Sequence, residues 1–237
     1  MISLVDYLVA RELSLPPIQE GRMFEYILAT NGVFVRGKRA GLEVMLPGAR
    51  FGSESAVRGL ARLEPYMRLT YPSVPKRLGE EMLRQARAAH DVQQDALIGF
   101  LERLTRGRLA FVNPSDWIEV LFYLDYDVAR GAWQLITPEQ EQSVARVVAV
   151  DRYDATHTKS LIQAHSHHNF APMFSPLDDR DQVGFQIYAV LGNLSTQPTL
   201  CVRVGLYGYW LDISAWDIFE PIEGVADVQN GQCSATT

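Results

Sequence analysis

Four residues in one short stretch, His165, His167, Ser175 and Asp178, have types and a spacing that suit a metal site. Two histidines at positions i and i+2 of a strand project to the same face, so both imidazoles can bind one ion. Asp178, eleven residues after His167, can close the site. Three protein ligands leave a fourth tetrahedral position for water, which is typical of a catalytic zinc ion and not of a structural one.

The segment Ser175-Pro176-Leu177-Asp178 also favours the start of a helix. Ser175 suits the N-cap, Pro176 the first helical position and Asp178 the third, where a carboxylate can cap the helix. Taken alone, capping is the favoured interpretation of this segment. The two interpretations are compatible, because a helix that starts toward the histidines would present Asp178 to the metal.

These residues match the pattern H-x-H-x7-S-x2-D, and in this the chain resembles the JAMM (JAB/MPN) metalloproteases. The resemblance implies a zinc ion, Zn2+, held by His165, His167 and Asp178, with Ser175 stabilising the oxyanion. It also implies a glutamate from an upstream strand as general base. Members of the family cleave peptide or isopeptide bonds after the tails of ubiquitin-like proteins, or C–N and C–S bonds of small substrates.

The glutamate has no fixed spacing and must be chosen by its setting. Glu119, in DWIEVLFYLDY, lies near the start of a predicted strand, 46 residues before His165, and is our choice. Glu102 is a rival, but it lies in a predicted amphipathic helix where a solvated carboxylate is expected. Glu139 and Glu141 lie close to a turn and are expected to be exposed.

Local patterns predict the elements that must position these residues. Residues 1–70 form a β-rich lobe in which Asn31-Gly32 favours a hairpin turn with positive φ angles. Apolar residues recur at helical spacing from Pro75, and a second helix is predicted over 94–105. After Pro114 the pattern predicts successive strands of one sheet, among them 143–150, and a short helix from about Pro176 to Val183.

With the resemblance, these elements imply an α+β (α/β/α-like) fold. The expected arrangement is the JAMM/MPN (cytidine-deaminase-like) curved mixed β-sheet flanked by helices, with a small β-rich N-terminal lobe. The predicted domains are an accessory lobe over 1–70, a metal-hydrolase domain over 71–222 and a flexible tail over 223–237.

Composition limits the setting of the protein. Twenty-two basic and 28 acidic residues give a net charge of −6, which argues against nucleic acid as a main partner. No secretory signal or membrane-spanning apolar run is found, so a cytoplasmic location is expected. Cys201 and Cys233 are expected to be free thiols, since disulfides are rare in a reducing compartment.

Four phrases, NGVFVRGKRAGLEVMLP, PEQEQSVARV, HSHHNFAPMFSPLDD and YAVLG, resemble the PRTRC system protein A group of bacterial mobile elements. This resemblance implies work beside ubiquitin-like, conjugating-enzyme-like and ThiF-like adenylating proteins. The leading hypothesis is a zinc isopeptidase acting on a ubiquitin-like protein. A non-catalytic MPN-like scaffold and a small-molecule C–N or C–S hydrolase are the alternatives; such scaffolds usually lack metal ligands, and none is missing here.

The residues next to the motif leave alternatives open. His168, where many family members have proline, is a hydrogen-bonding partner of a ligand, a gate or an exposed bystander, and the first and last of these are favoured. Asp179 and Asp181 are explained by the helix dipole, with a hydrogen bond to a histidine ligand as the alternative. The apolar residues of the intervening loop are expected to pack locally, with substrate contact as the alternative: Phe170, Met173 and Phe174.

Overall fold

The computed structural model describes residues 4–53, 56–89, 119–143, 146–150, 160–167, 169–228 and 233. Of these residues 44% are in strands and 13% are helical, so the expected α+β fold with a helix-flanked sheet is wrong. Longer helical segments in this part of the chain are α1, residues 76–89, and the six-residue α2, Pro176–Asp181. The second predicted helix, 94–105, lies outside the described residues, as do Glu102 and His168.

The first sheet has five strands in the order β1-β2-β3-β4-β5. β1 runs parallel to β2, and the other neighbours are antiparallel. One face packs on a cluster that includes Ile27, Phe34 and Leu63. The strands are Val5–Val9, Phe24–Ala29, Gly32–Arg39, Leu42–Arg50 and Tyr66–Leu69.

The hairpin predicted at Asn31-Gly32 is present between β2 and β3, but its turn differs from the prediction. Neither Asn31 nor Gly32 has a positive φ angle. The Asn31 side chain donates to the Leu63 carbonyl at 2.7 Å and accepts from the Leu63 N–H at 3.0 Å. A Cβ on Gly32 would lie 2.3 Å from the Ala49 carbonyl oxygen, so this glycine is required for space and not for its φ angle.

The second sheet has seven strands, in the order β13-β12-β11-β10-β6-β7 with β14 paired to β12. β10 is central: it runs parallel to β11 and antiparallel to β6. β11 is buried along its whole length, as expected of a strand with both faces covered. The strands are Leu121–Asp127 (β6), Ala132–Ile136 (β7), Ile162–Ser166 (β10), Gln186–Gly192 (β11), Thr199–Leu206 (β12), Tyr209–Ile213 (β13) and Ala226–Asp227 (β14).

The predicted strand over 143–150 does not join this sheet. Gln140–Ser143 (β8) and Arg146–Ala149 (β9) instead form a separate two-stranded antiparallel pair. Its connection with β6 includes the Gln140 side chain, whose amide oxygen accepts from the Leu121 N–H at 2.7 Å. The hairpin therefore contacts the strand that follows Glu119.

The chain divides into two compact units. One comprises Met1–Pro72, Arg180–Gln186 and Val204–Leu211, and the other comprises Ser73–Asp179, Ile187–Arg203 and Asp212–Thr237. The domains predicted over 1–70, 71–222 and 223–237 stay a prediction. Among the described residues no helix is long and apolar enough to cross a membrane.

The expectation of two free thiols is wrong, because Cys201 and Cys233 form a disulfide. Both are fully buried and pack with Phe174, Tyr188 and Val190. β14 pairs with β12, and the Val228 N–H donates to the Leu200 carbonyl at 3.1 Å, which returns the C-terminal segment to Cys201. Local composition around Cys233 carries no sign of this long-range pairing.

Candidate metal site

Two imidazoles meet at the end of β10. His165 is the fourth residue of β10, and His167 follows the strand, its N–H donating to the Leu191 carbonyl at 2.8 Å. Extended backbone puts both side chains on one face, and their Nε2 atoms lie 3.0 Å apart. The same-face prediction for this pair is confirmed.

Ser166, between the two histidines, fixes the segment that carries Glu119. Its N–H donates to the Val120 carbonyl, and its hydroxyl accepts from the Val120 N–H, both at 3.0 Å. Glu119 thereby lies beside the histidines, with Oε1 3.7 Å from the His167 Nε2. Sequence reasoning missed Ser166; its place between two same-face histidines, and so on the opposite face, was the available signal.

Asp178 reaches the histidines from the start of α2. Its Oδ1 lies 3.4 Å from the His165 Nε2. Its Oδ2 accepts from the Ser175 N–H at 2.7 Å and from the Ser175 hydroxyl at 2.6 Å. The Asp178 N–H donates back to the Ser175 Oγ at 3.2 Å, which completes a reciprocal cap. Capping and approach to the histidines therefore occur together.

Burial keeps both imidazoles in the neutral form that binds metals. It lowers the pKa of His165 to about 4, although the Asp178 carboxylate opposes the shift, and the charges of His167 and Arg203 add to it. Burial also lowers the pKa of His167, against the opposing effects of Asp178 and the Ala171 carbonyl. The His167 Nδ1 lies 3.4 Å from that carbonyl, a contact that assigns the proton to Nδ1 and leaves Nε2 a lone pair.

The two carboxylates of the site differ in their electrostatics. Burial, with the Asp178 charge, raises the pKa of Glu119 to about 8. Burial would also raise the pKa of Asp178, but His165 and the hydrogen bonds from Ser175 outweigh it and hold that pKa below its ordinary value. Asp178 is therefore the anion of the site, and Glu119 is the group that can hold a proton.

The donor set fits a zinc ion. Ligands about 2.0–2.1 Å from a tetrahedral zinc lie about 3.3 Å from one another. The separations of 3.0 Å between the two Nε2 atoms and 3.4 Å from His165 to Asp178 are close to that value. Among the described residues, the group whose ligand atoms all lie within 4.8 Å of one another is His165, His167 and Glu119, with Glu119 3.7 Å from His167. Asp178 is not in that group, and its place in the site rests on its 3.4 Å approach to His165.

The flanking residues have more specific contacts than the sequence indicates. Asp179 forms an ion pair with Arg203 at 2.6 Å. Phe174 is buried as expected, whereas Phe170 and Met173 are 51% and 42% exposed, so the local-packing prediction fails for these two. Sequence reasoning missed Arg203, since nothing in the sequence of β12 distinguishes it from a surface arginine.

The loop between His167 and Phe174 is fixed by backbone contacts. The Phe170 N–H donates to the His167 carbonyl at 3.0 Å, and the Phe170 carbonyl accepts from Asn193 at 2.9 Å. A Cβ on Gly192 would lie 2.4 Å from that carbonyl oxygen, so the loop lies directly on the end of β11. The Ala171 carbonyl that contacts His167 is positioned by this packing.

No family model matches the chain, and no curated protein matches it significantly.

Proposed function

We propose that this protein is a zinc-dependent hydrolase of the JAMM type, which cleaves a peptide or isopeptide bond after the tail of a ubiquitin-like protein. The observation that supports it is a pair of neutral imidazoles 3.0 Å apart with a carboxylate beside each, Asp178 at 3.4 Å from His165 and Glu119 at 3.7 Å from His167. The proposal depends on these side chains and not on the fold, whose predicted class is wrong.

His165, His167 and Asp178 would hold the metal. His165 and His167 would bind it through Nε2, and Asp178 through Oδ1, since its Oδ2 is engaged by Ser175. When bound, a zinc ion would lower the pKa of a bound water toward 7 and polarise the carbonyl of the scissile bond.

Glu119 would act as the general base. Its side chain is 13% exposed, so it is mostly withdrawn from solvent. As an ionised carboxylate beside the metal it would take a proton from the attacking water and deliver it to the leaving amine. Positioning by Val120 and Ser166 keeps it next to His167 while it does so.

Ser175 is proposed to stabilise the oxyanion. In this structure its hydroxyl donates to Asp178, so it also orients the ligand carboxylate. Donation to an oxyanion requires the hydroxyl to rotate away from Asp178. The loss of one such donor typically lowers kcat by about 100- to 1000-fold.

We further propose which substrate and partner proteins the site serves. The resemblance to the mobile-element group favours a ubiquitin-like substrate, and ThiF-like and conjugating-enzyme-like proteins as partners. The exposed Phe170 and Met173 give the loop beside the site an apolar surface that an extended polypeptide can contact.

Cleavage of a ubiquitin-like C-terminal fusion tests the proposal. We expect the zinc-loaded protein to release the fused peptide and Glu119→Gln, at equal zinc content, to be slower by at least about 100-fold. Glu64→Gln is the matched control, because Glu64 is a 72%-exposed carboxylate of an ion pair with Arg62. Equal rates for wild type and Glu119→Gln would remove Glu119 from the base role, and a zinc-loaded protein that cleaves no fusion would favour the scaffold.

A further inference from the structure

Helix α2 carries Asp178, yet it buries none of its own side chains. It has only six residues, and a helix that short is unstable in water without tertiary contacts. The reciprocal cap between Ser175 and Asp178 stabilises its first turn but does not attach it to the sheet. The position of Asp178 relative to His165 therefore requires an attachment from outside the helix.

Arg203 in β12 provides such an attachment. Its Nη1 donates to Asp179 Oδ1 at 2.6 Å, and its guanidinium carbon lies 3.9 Å from the centre of the Phe174 ring. Arg203 is only 1% exposed, whereas the Asp179 side chain is 47% exposed. A planar guanidinium can stack on an aromatic ring and bind a carboxylate at the same time, whereas a lysine ammonium has no planar face to stack.

The two contacts of Arg203 flank the motif. Phe174 immediately precedes Ser175, and Asp179 immediately follows Asp178. Cys201, two residues before Arg203 and so on the same face of β12, binds Cys233, whose carbonyl accepts from the Phe174 N–H at 2.7 Å. One face of β12 thus holds both ends of the segment that presents Asp178.

We propose that Arg203 is a positioning residue for the metal site: by contacting Phe174 and Asp179 it sets the distance between the Asp178 carboxylate and His165. The inference rests on the proposed function, because Arg203 has this role only if Asp178 is a metal ligand. It acts through Asp178 and touches neither substrate nor metal.

Zinc affinity, measured by competition with a chromophoric chelator, tests the inference without an activity assay. We expect Arg203→Met to weaken zinc binding by about 10- to 100-fold, the usual cost of losing a residue that supports a ligand. Asp179→Asn should weaken zinc binding less. The double variant should bind zinc no more weakly than Arg203→Met, because both single changes remove the same Arg203–Asp179 ion pair.

Arg203→Lys, which keeps the positive charge but lacks the planar group, should retain part of the zinc affinity that Arg203→Met loses. In the cobalt-substituted protein, Arg203→Met should also change the visible absorption bands.

Arg130→Met is the matched control. Arg130 belongs to the same unit and forms an ion pair with Asp127 at 3.5 Å, and neither residue is part of the site or its supporting loop, so zinc affinity should not change. A folded Arg203→Met protein that binds zinc within about twofold of wild type would overturn the inference. If Arg203→Met does not fold, unchanged affinity in Asp179→Asn overturns it. Wild type that binds zinc and loses it in His165→Ala keeps the proposed function in either case, whereas wild type that binds no zinc ends both.

Discussion

At the scale of single residues, two side chains of the site, Asp178 and His167, each use one polar atom for local structure and another for the site. Asp178 uses Oδ2 to cap α2 and directs Oδ1 to His165, so capping and ligation use different oxygens of one carboxylate. His167 likewise uses Nδ1 for the Ala171 carbonyl and Nε2 for the site. Sequence spacing is sufficient to predict that these residues meet, because the strand and helix-start geometries are local.

The pH dependence of stability should identify Glu119 in the metal-free protein. Its pKa is raised from 4.5 to about 8 on folding, so the folded protein binds the proton more tightly than the unfolded chain. The free energy of unfolding therefore falls as the pH rises from about 4.5 to about 8. The lowered pKa of His165, about 4, acts in the opposite direction but only up to its ordinary value of 6.5.

We expect Glu119→Gln to remove the fall in stability between about pH 6.5 and 8 and to raise Tm at the upper end by several degrees. Thermal unfolding of chelator-treated proteins across this range measures it. Glu64→Gln, at an exposed position, should retain the wild-type slope. An identical slope in wild type and Glu119→Gln would contradict the raised pKa.

Ser175→Ala separates the two roles of the serine. Loss of the hydroxyl removes a 2.6 Å hydrogen bond to Asp178 and should weaken zinc binding. At saturating zinc, kcat should still fall by about 100- to 1000-fold if the hydroxyl also serves the oxyanion. A full recovery of kcat with added zinc would leave Ser175 only the orienting role.

At the scale of elements, the central strand β10 positions three of the site residues. It carries His165 and Ser166, leads to His167, and through Ser166 fixes the segment of Glu119. The choice of Glu119 followed from its place at the start of a strand, but its register against β10 could not be predicted. Register depends on pairing between segments 46 residues apart, which local patterns do not encode.

The loop that contacts His167 depends on Gly192 at the end of β11. In Gly192→Ala the new Cβ would meet the Phe170 carbonyl oxygen at 2.4 Å and the Pro172 nitrogen at 2.6 Å. The loop must move, and the Ala171 carbonyl moves with it, so zinc affinity should fall by about tenfold or more. Chelator competition measures the change, with Gly52→Ala as a control, since a Cβ there meets nothing within 4 Å. Wild-type affinity in Gly192→Ala would show that the loop does not support His167.

At the scale of the whole molecule, sequence patterns predicted individual strands but not the fold class or the disulfide. Individual strands such as β2, β4 and β6 follow from runs of apolar and aromatic residues, but the helix-flanked fold was inferred from a resemblance and is wrong for the described residues. The disulfide was missed for a related reason, since it joins residues 32 apart that only the pairing of β14 with β12 brings together. Contacts between residues close in sequence could therefore be predicted, whereas the pairing of distant strands and cysteines could not.

The disulfide should contribute to global stability. Closing a loop of 32 residues is worth about 3–4 kcal/mol in the chain-entropy model. We expect a reductant to lower the free energy of unfolding of the wild type toward that of Cys201→Ser, and to leave the variant unchanged. Urea unfolding with and without reductant measures both. No effect of reductant on the wild type would contradict a disulfide between Cys201 and Cys233.

Metal content per chain, measured by inductively coupled plasma mass spectrometry, tests the central claim most directly. We expect about one zinc per chain in wild type, retained in Glu119→Gln and lost in His165→Ala, His167→Ala and Asp178→Asn. That pattern would identify Asp178 as the carboxylate ligand and show that Glu119 is not required to hold the metal. Zinc-free wild type, or zinc retained after both histidines are replaced, would contradict it.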